Sequence, residues 1–143
     1  MALVKQFATF YLDRLLFGVE VGKVQEVIRY QEMTRVPLAP SVVTGLINLR
    51  DQIVTALDLR RRLELAERAA DRLPMNVVVR AGDEAVSLLV DEIGDVLEVE
   101  DESFEPPPET LKGIARELIR GAYKLKDRLL LVLDTEKAVS VPA

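Results

Sequence analysis

Gly45 to Arg60 reads GLINLRDQIVTALDLR, and Gly121 to Glu136, at an offset of 76, reads GAYKLKDRLLLVLDTE. Each stretch is a pair of apolar runs around a short charged segment, the pattern of a β-hairpin. Gly45 aligns with Gly121, Leu49 with Leu125, Asp51 with Asp127, Leu57 with Leu133 and Asp58 with Asp134. Arg50 falls opposite Lys126, and Ile53-Val54 opposite Leu129-Leu130. A second match precedes each hairpin. Glu20 to Val27, EVGKVQEV, and Glu92 to Val99, EIGDVLEV, share five of eight positions at an offset of 72. Two matches in the same order indicate an internal repeat of about 70 residues. A unit of that size buries little surface on its own and would be marginal. The expectation is two β units, residues 1–72 and 73–143, packed through a shared apolar seam within one domain.

The remaining sequence agrees with an all-β chain. Phe7 to Leu12 and Leu15 to Glu20 read as strands joined at Asp13-Arg14. Gly22 to Val27 is ambiguous between a helical turn and a strand. Val27 to Val36 runs extended toward Pro37, since the residue before a proline avoids helix. Pro37-Leu38-Ala39-Pro40 is a rigid elbow, and Ser41 is placed to cap a helical turn reaching Thr44. Asp58 is placed to cap a short helix in LRRRLELAER. Strand resumes near Met75. Asn76 to Arg80 and Ala85 to Val90 flank a turn at residues 81–84, and Val96 to Val99 is a further strand. Prolines 106 to 108 favour an extended surface crossing. Leu118 to Leu125 and Leu129 to Leu133 form the second hairpin, with Asp134 capping a short terminal helix. About ten short strands with little helix indicate barrels or a sandwich.

Composition removes several classes of function. The 143 residues contain no Cys and no His. Disulfides are therefore impossible, the usual zinc ligands are missing, and Ser-His-Asp or Cys-His catalysis has no base. The formal charge of −5, with acidic and basic residues interspersed, offers no basic face for nucleic acid. No apolar run approaches the roughly 20 residues of a membrane span, and MALVKQFATFYLD lacks the apolar core of a signal peptide. The glycines form no phosphate-cradling loop. Asp101-Glu102 and Glu64 with Glu67 read as charged surface rather than acid/base pairs. A cytoplasmic protein without cofactor or metal is expected.

Three stretches then resemble a known family: FGVEVGKVQEVIRYQEMTRVPLAPSVVTGLINLRDQIVTALDLRRRL, LLVDEIGDVLEVEDESFEPPP and IRGAYKLKDRLLLVLD. Together they are similar to the CheW-like domain family, which includes bacterial chemotaxis coupling proteins and the regulatory domain of the chemotaxis histidine kinase. The resemblance spans about Phe7 to Lys137, with no kinase, phosphotransfer or receiver segment around it. It implies two packed SH3-like five-stranded β-barrels with a few short helices. It also implies a non-enzymatic adaptor that joins the kinase regulatory domain to the helical cytoplasmic tip of a methyl-accepting chemoreceptor. Such an adaptor is located in the cytoplasm with membrane-bound or cytoplasmic receptor arrays and is not itself inserted in the membrane. A helix laid in an apolar groove between the barrels would be the recognition mode. The same fold in a pilus-motility or developmental pathway is the alternative. A small-molecule-binding barrel or an enzyme would need a polar pocket that no spacing here recommends.

The resemblance directs attention to Val24, Glu26, Gly45 and Arg50 as receptor-binding residues. Arg50 offers a planar fork of donors to carboxylate or backbone oxygens on an acidic helix. Val24 and Val27 read as one core face, and Glu26 has a repeat mate in Glu98. Gly45 reads as a close approach or an unusual backbone angle, and Gly121 suggests that this role is partly one of folding. The family usually has glycine after Asn-Leu-Arg, where this chain has Asp51. A left-handed backbone is therefore expected there, with Asp127 as an internal precedent. A kinase-binding strand edge or barrel face is expected around Val86, Leu88 and Val90, with one alternating set pointing outward. Thr34, Arg35 and Pro37 read as a strand end and elbow, and Arg60 to Arg62 as the exposed face of a helix.

Overall fold

A computed structural model describes residues 3–141. Ten strands form two five-stranded sheets. In chain order they are β1 (Val4–Leu12), β2 (Leu15–Glu20), β3 (Val24–Ile28), β4 (Val43–Leu49), β5 (Gln52–Asp58), β6 (Met75–Ala81), β7 (Glu84–Val90), β8 (Glu92–Glu100), β9 (Ile119–Lys124) and β10 (Leu129–Leu133). Three short helices are α1 (Leu59–Arg62), α2 (Gly113–Leu118) and α3 (Thr135–Val139). Gly22 to Val27 turns out to be both of its readings in succession, a 3₁₀ turn at Val21–Lys23 and then β3.

The first sheet has the order β8-β1-β2-β10-β9, and the second β3-β6-β7-β5-β4. Position by position, β8 corresponds to β3, β1 to β6, β2 to β7, β10 to β5 and β9 to β4. The single parallel pair also corresponds, β10 with β2 and β5 with β7. The repeat is thus a repeat of topology, but the barrels do not divide at residue 72. β1 and β2 of the first half join β8, β9 and β10 of the second, and the other five strands make the second sheet. EVGKVQEV and EIGDVLEV lie where the chain crosses from one sheet to the other. A repeat folded on itself and a repeat that exchanges strands have the same sequence pattern. The exchanged form leaves neither half to bury its own apolar faces, which a unit this small does poorly.

The seam is apolar and continuous. Phe10, Leu12, Phe17 and Val19 of the first sheet pack in one buried cluster with Leu57, Val77, Val79, Val86, Leu88 and Val90 of the second. A smaller cluster around Phe7, Leu16, Tyr123 and Leu130 fills the first sheet's other face. Ile47, Val54, Ala56 and Leu89 do the same for the second.

Each barrel closes by the same device. The segment after β3 returns so that Thr34 and Leu46 exchange two backbone hydrogen bonds, both 2.8 Å. Glu105, in the segment after β8, does so with Ala122, both 2.9 Å. The residue before each bridge is a glycine, because a Cβ on Gly45 would lie 2.7 Å from Thr34 O, and one on Gly121 would overlap Phe104 and Glu105 O.

The helices differ from expectation in detail. Asp58 accepts from Arg60 N at 3.1 Å and Asp134 from Lys137 N at 3.1 Å, so both caps form as read. The helix in LRRRLELAER is only α1. Leu65 N donates to Arg60 O and Glu64 N to Arg61 O, a Schellman ending with Glu64 at φ 58° in the place glycine usually takes. Ser41 starts no helical turn; Val43 N donates to Pro40 O at 2.9 Å and β4 begins. Helix α2, which opens at Gly113 with φ 65°, was not expected.

Candidate functional site

Two of the expected receptor residues meet. Arg50 Nη2 lies 3.5 Å from Glu26 Oε1, with the arginine side chain 84% exposed and the glutamate 17%. Arg50 stands at the β4–β5 tip, where Leu49 pairs with Gln52 and the two loop residues both have left-handed angles, φ 49° at Arg50 and 68° at Asp51. Such two-residue tips follow the right-handed twist of the flanking strands. The backbone expected at Asp51 is therefore present, and it holds Arg50 out into solvent. Its precedent is not. Hairpin register is preserved at Asp127, with Leu125 N donating to Arg128 O at 2.8 Å, but neither Lys126 nor Asp127 takes a positive φ.

Glu26 comes from β3, an edge of the second sheet, and Arg50 from the end of β4, the opposite edge. The ion pair therefore spans the line along which that barrel closes. The β3–β6 register shifts between Val24 and Glu26. That shift sets Val24 opposite Val79 and Val27 opposite Val77, so the two valines share the seam-side face as read, but only Val24 is half-buried there and Val27 emerges 40% exposed. Near the tip, Ile53 is 62% exposed. Val27, next to Glu26 in the chain, and Ile53, three residues after Arg50, are the exposed apolar side chains of these two segments. Gly45 is buried and contributes closure rather than surface.

The repeat mates behave differently. Glu98 accepts from Gln6 Nε2 at 3.1 Å, and no ion pair joins it to Lys126 among the described residues. The cross-edge pair is a property of one barrel.

The expected kinase-facing strand is corrected. β7 is hydrogen-bonded on both sides, to β6 and β5. Val86, Leu88 and Val90 belong to the seam, and Leu89 is 1% exposed on the opposite face. Neither alternating set reaches solvent. The run Val86-Ser87-Leu88-Leu89-Val90 carried the signal, since an unbroken run without polar alternation marks a strand buried on both faces.

The charged residue that the sequence reading missed is Arg60, which is buried rather than on an exposed helix face. Its Nε donates to Asp91 Oδ1 at 3.0 Å and its Nη2 to Asp91 Oδ2. Arg68 Nε reaches Oδ1 at 2.8 Å, and Asp13 N donates to Oδ2 at 2.7 Å. Burial would push the Asp91 carboxyl up, but Arg60, the Asp13 N–H and Arg68 together hold it down at about 2. Arg60 is correspondingly raised by its bond to Asp91. All four acceptor positions of the carboxylate are used, which is an anchor rather than a reactive acid.

The clearest cavities lie away from Arg50. One of about 260 Å³ is lined by Leu15, Leu16, Leu111, Leu129 and Leu131, with Arg14 and Arg128 beside them. Among the described residues no group of three or more His, Cys, Asp or Glu could hold a metal ion, and no helix is long and apolar enough to cross a membrane.

Comparison with known proteins meets this geometry. The model of the CheW-like domain matches residues 6–142. The "Chemotaxis protein CheW" of Klebsiella aerogenes is 32% identical over 136 residues, which cover 95% of this chain and 82% of that protein. The protein of the same name from Treponema pallidum is 31% identical over 139 residues, covering 94% and 82%. The crystal structure of the scaffolding protein TtCheW from Thermoanaerobacter tengcongensis superposes with a TM-score of 0.87 at 26% identity, over 97% of this chain and 94% of that one.

Proposed function

This chain belongs to the CheW-like domain family, and on that premise we propose that it is a chemotaxis scaffold that couples chemoreceptor tips to the regulatory domain of a histidine kinase. The receptor contact is centred on Arg50 and Glu26, with Val27 and Ile53 as apolar neighbours and Val24 behind them. The observation that carries this reading is the 3.5 Å pair between Arg50 and Glu26, made in one barrel and not at the repeat-related Lys126 and Glu98. A pair required only to close a barrel would be needed twice.

Physically, Glu26 fixes one side of a guanidinium that remains 84% exposed, so most of its donors stay available. A held but unsaturated arginine beside exposed apolar side chains is the composition of an interface anchor. Against a helical partner it sets register, while Val27 and Ile53 supply apolar contact. The kinase contact must use a surface outside β7. The adaptor performs no turnover; it transmits a signal only if its contacts differ in free energy between receptor states.

The test is a titration of the chain against a receptor signalling-tip fragment and, separately, against a kinase regulatory domain, with Arg50→Ala in parallel. Arg50→Ala is expected to weaken the receptor arm by roughly tenfold or more, the scale of an interface anchor, and to spare the kinase arm. Failure of the wild-type chain to bind either partner would sink the adaptor reading. Equal loss in both arms would sink the assignment of Arg50 to the receptor.

A further inference from the structure

Apolar burial holds two barrels together without specifying how they are turned, because it scales with area and is not directional. Orientation has to come from contacts that fail when geometry is wrong, and charged hydrogen bonds to a carboxylate or carbonyl have that property. Helix α1 makes such contacts with two arginines. Arg60 binds Asp91, the residue at which β7 of the second sheet passes into β8 of the first. Asp91 is also tied to the first sheet's β1–β2 hairpin, since it accepts from Asp13 N at 2.7 Å and its own N–H donates to Tyr11 O at 3.0 Å. Arg68, from the connection after α1, completes this knot. Arg62 reaches elsewhere. Its Nε donates to Ala138 O at 2.8 Å, and its Nη2 to Lys137 O at 2.9 Å and Ser140 O at 3.1 Å. These carbonyls end α3, which follows β10 of the first sheet.

We propose that α1 is a two-ended polar clasp, Arg60 on Asp91 and Arg62 on the α3 carbonyls, that sets the rotation of one barrel against the other. The repeat supplies an internal control. At the offset of 76 the mates of Arg60 and Arg62 are Glu136 and Ala138, and at the offset of 72 the mate of Asp91 is Val19. The fold does not need the clasp at both crossings, because it makes it at one. Arg60 and Asp91 are buried as a pair, and such pairs contribute little net stability for the burial they require, so fixing an arrangement is the role left to them. On the adaptor reading, which this consequence rests on, the clasp fixes how a receptor held on the second barrel is presented to whatever the first barrel touches.

The chain has no cysteine, so Asp83→Cys with Lys126→Cys places one spin label on an exposed turn of each barrel. Pulsed dipolar spectroscopy then reads the barrel-to-barrel distance in the whole protein. The intact clasp should give one narrow distance. Asp91→Asn, which keeps shape and loses charge, and Arg62→Ala, which opens the other end, should each replace it with a broadened or split distribution while thermal unfolding remains a single transition. The proposal falls if every variant that folds keeps the wild-type distribution; should Asp91→Asn not fold, Arg62→Ala decides alone. No partner enters this measurement, so it stands or falls separately from the adaptor reading, which Arg50→Ala tests without touching the clasp.

Discussion

At the first crossing, β2 gives way to β3 past Glu20, whose carboxylate meets Lys5 Nζ at 3.5 Å while Lys5 also lies 3.3 Å from Asp101. All three side chains are more than a third exposed. At the second crossing, β7 gives way to β8 past Asp91, whose side chain is 1% exposed and bound by two arginines and a backbone N–H. The two crossings have the same topology and closely similar sequences, and Glu92, the mate of Glu20, also makes an exposed pair, with Arg72; only the second crossing adds a buried knot. The two halves share the apolar pattern that builds strands. The residues that differ between the copies decide which crossing is mechanically important.

That difference is open to direct attack. Asp91→Ala leaves Arg60 and Arg68 buried without their acceptor, and breaking one side of a buried ion pair costs about 3–5 kcal/mol. Lys5→Ala at the other crossing should cost under about 1 kcal/mol, the usual worth of an exposed pair. Urea unfolding of the two variants measures both. Comparable losses would mean that the crossings are equivalent after all.

Acid sharpens the same contrast. In the folded chain Asp91 is held at about 2, below its ordinary 3.8. A carboxyl with a lowered folded pKa contributes stability that is fully present above the unfolded pKa and lost as pH falls through the folded one. The window therefore runs from about pH 4 to pH 2, and the shift corresponds to about 2 kcal/mol. Unfolding free energy followed through this window should show that loss in wild type. In Asp91→Asn the same component should be missing, leaving only the slope of the other carboxylates.

The hairpins, the restart of strand at Met75 and the caps at Asp58 and Asp134 were legible because each is written locally, in alternation or in a capping residue. The contact between Arg50 and Glu26 joins two residues that the family resemblance had singled out from separate segments, β3 and the β4–β5 tip. What was illegible depended on distant partners or on residues in unusual roles. Nothing in Arg60-Arg61-Arg62 distinguishes the buried arginine, because its acceptor lies 31 residues away. Glu64 ends α1 from a position where glycine would have announced the ending. The strand exchange has no local signature at all. The burial of Val86, Leu88 and Val90 could have been read, since Ser87 is the only polar residue in a five-residue run and a serine on a central strand does not mark a solvent face. It is fully buried here, donating to Asn76 Oδ1 at 2.7 Å.

The two hairpin tips allow the finest comparison. Asp51 and Asp127 occupy equivalent register positions, but only Asp51 has a left-handed backbone, at φ 68°. A non-glycine residue there carries a steric penalty that aspartate reduces and glycine removes. Against this, glycine adds freedom to the unfolded chain at either position. At Asp51 the two effects oppose, so Asp51→Gly should leave stability within about 0.5 kcal/mol of wild type or raise it slightly. At Asp127 glycine relieves no left-handed backbone and also removes the exposed pair with Arg128 Nε at 3.4 Å, so Asp127→Gly should lose about 0.5–1 kcal/mol from the added freedom, with a small further loss from the pair. Thermal unfolding of the pair resolves the sign. A loss at Asp51 as large as that at Asp127 would show that its carboxylate makes a stabilising contribution at the tip beyond accommodating the turn, and Arg50, one residue away, would be the first group to pair with it.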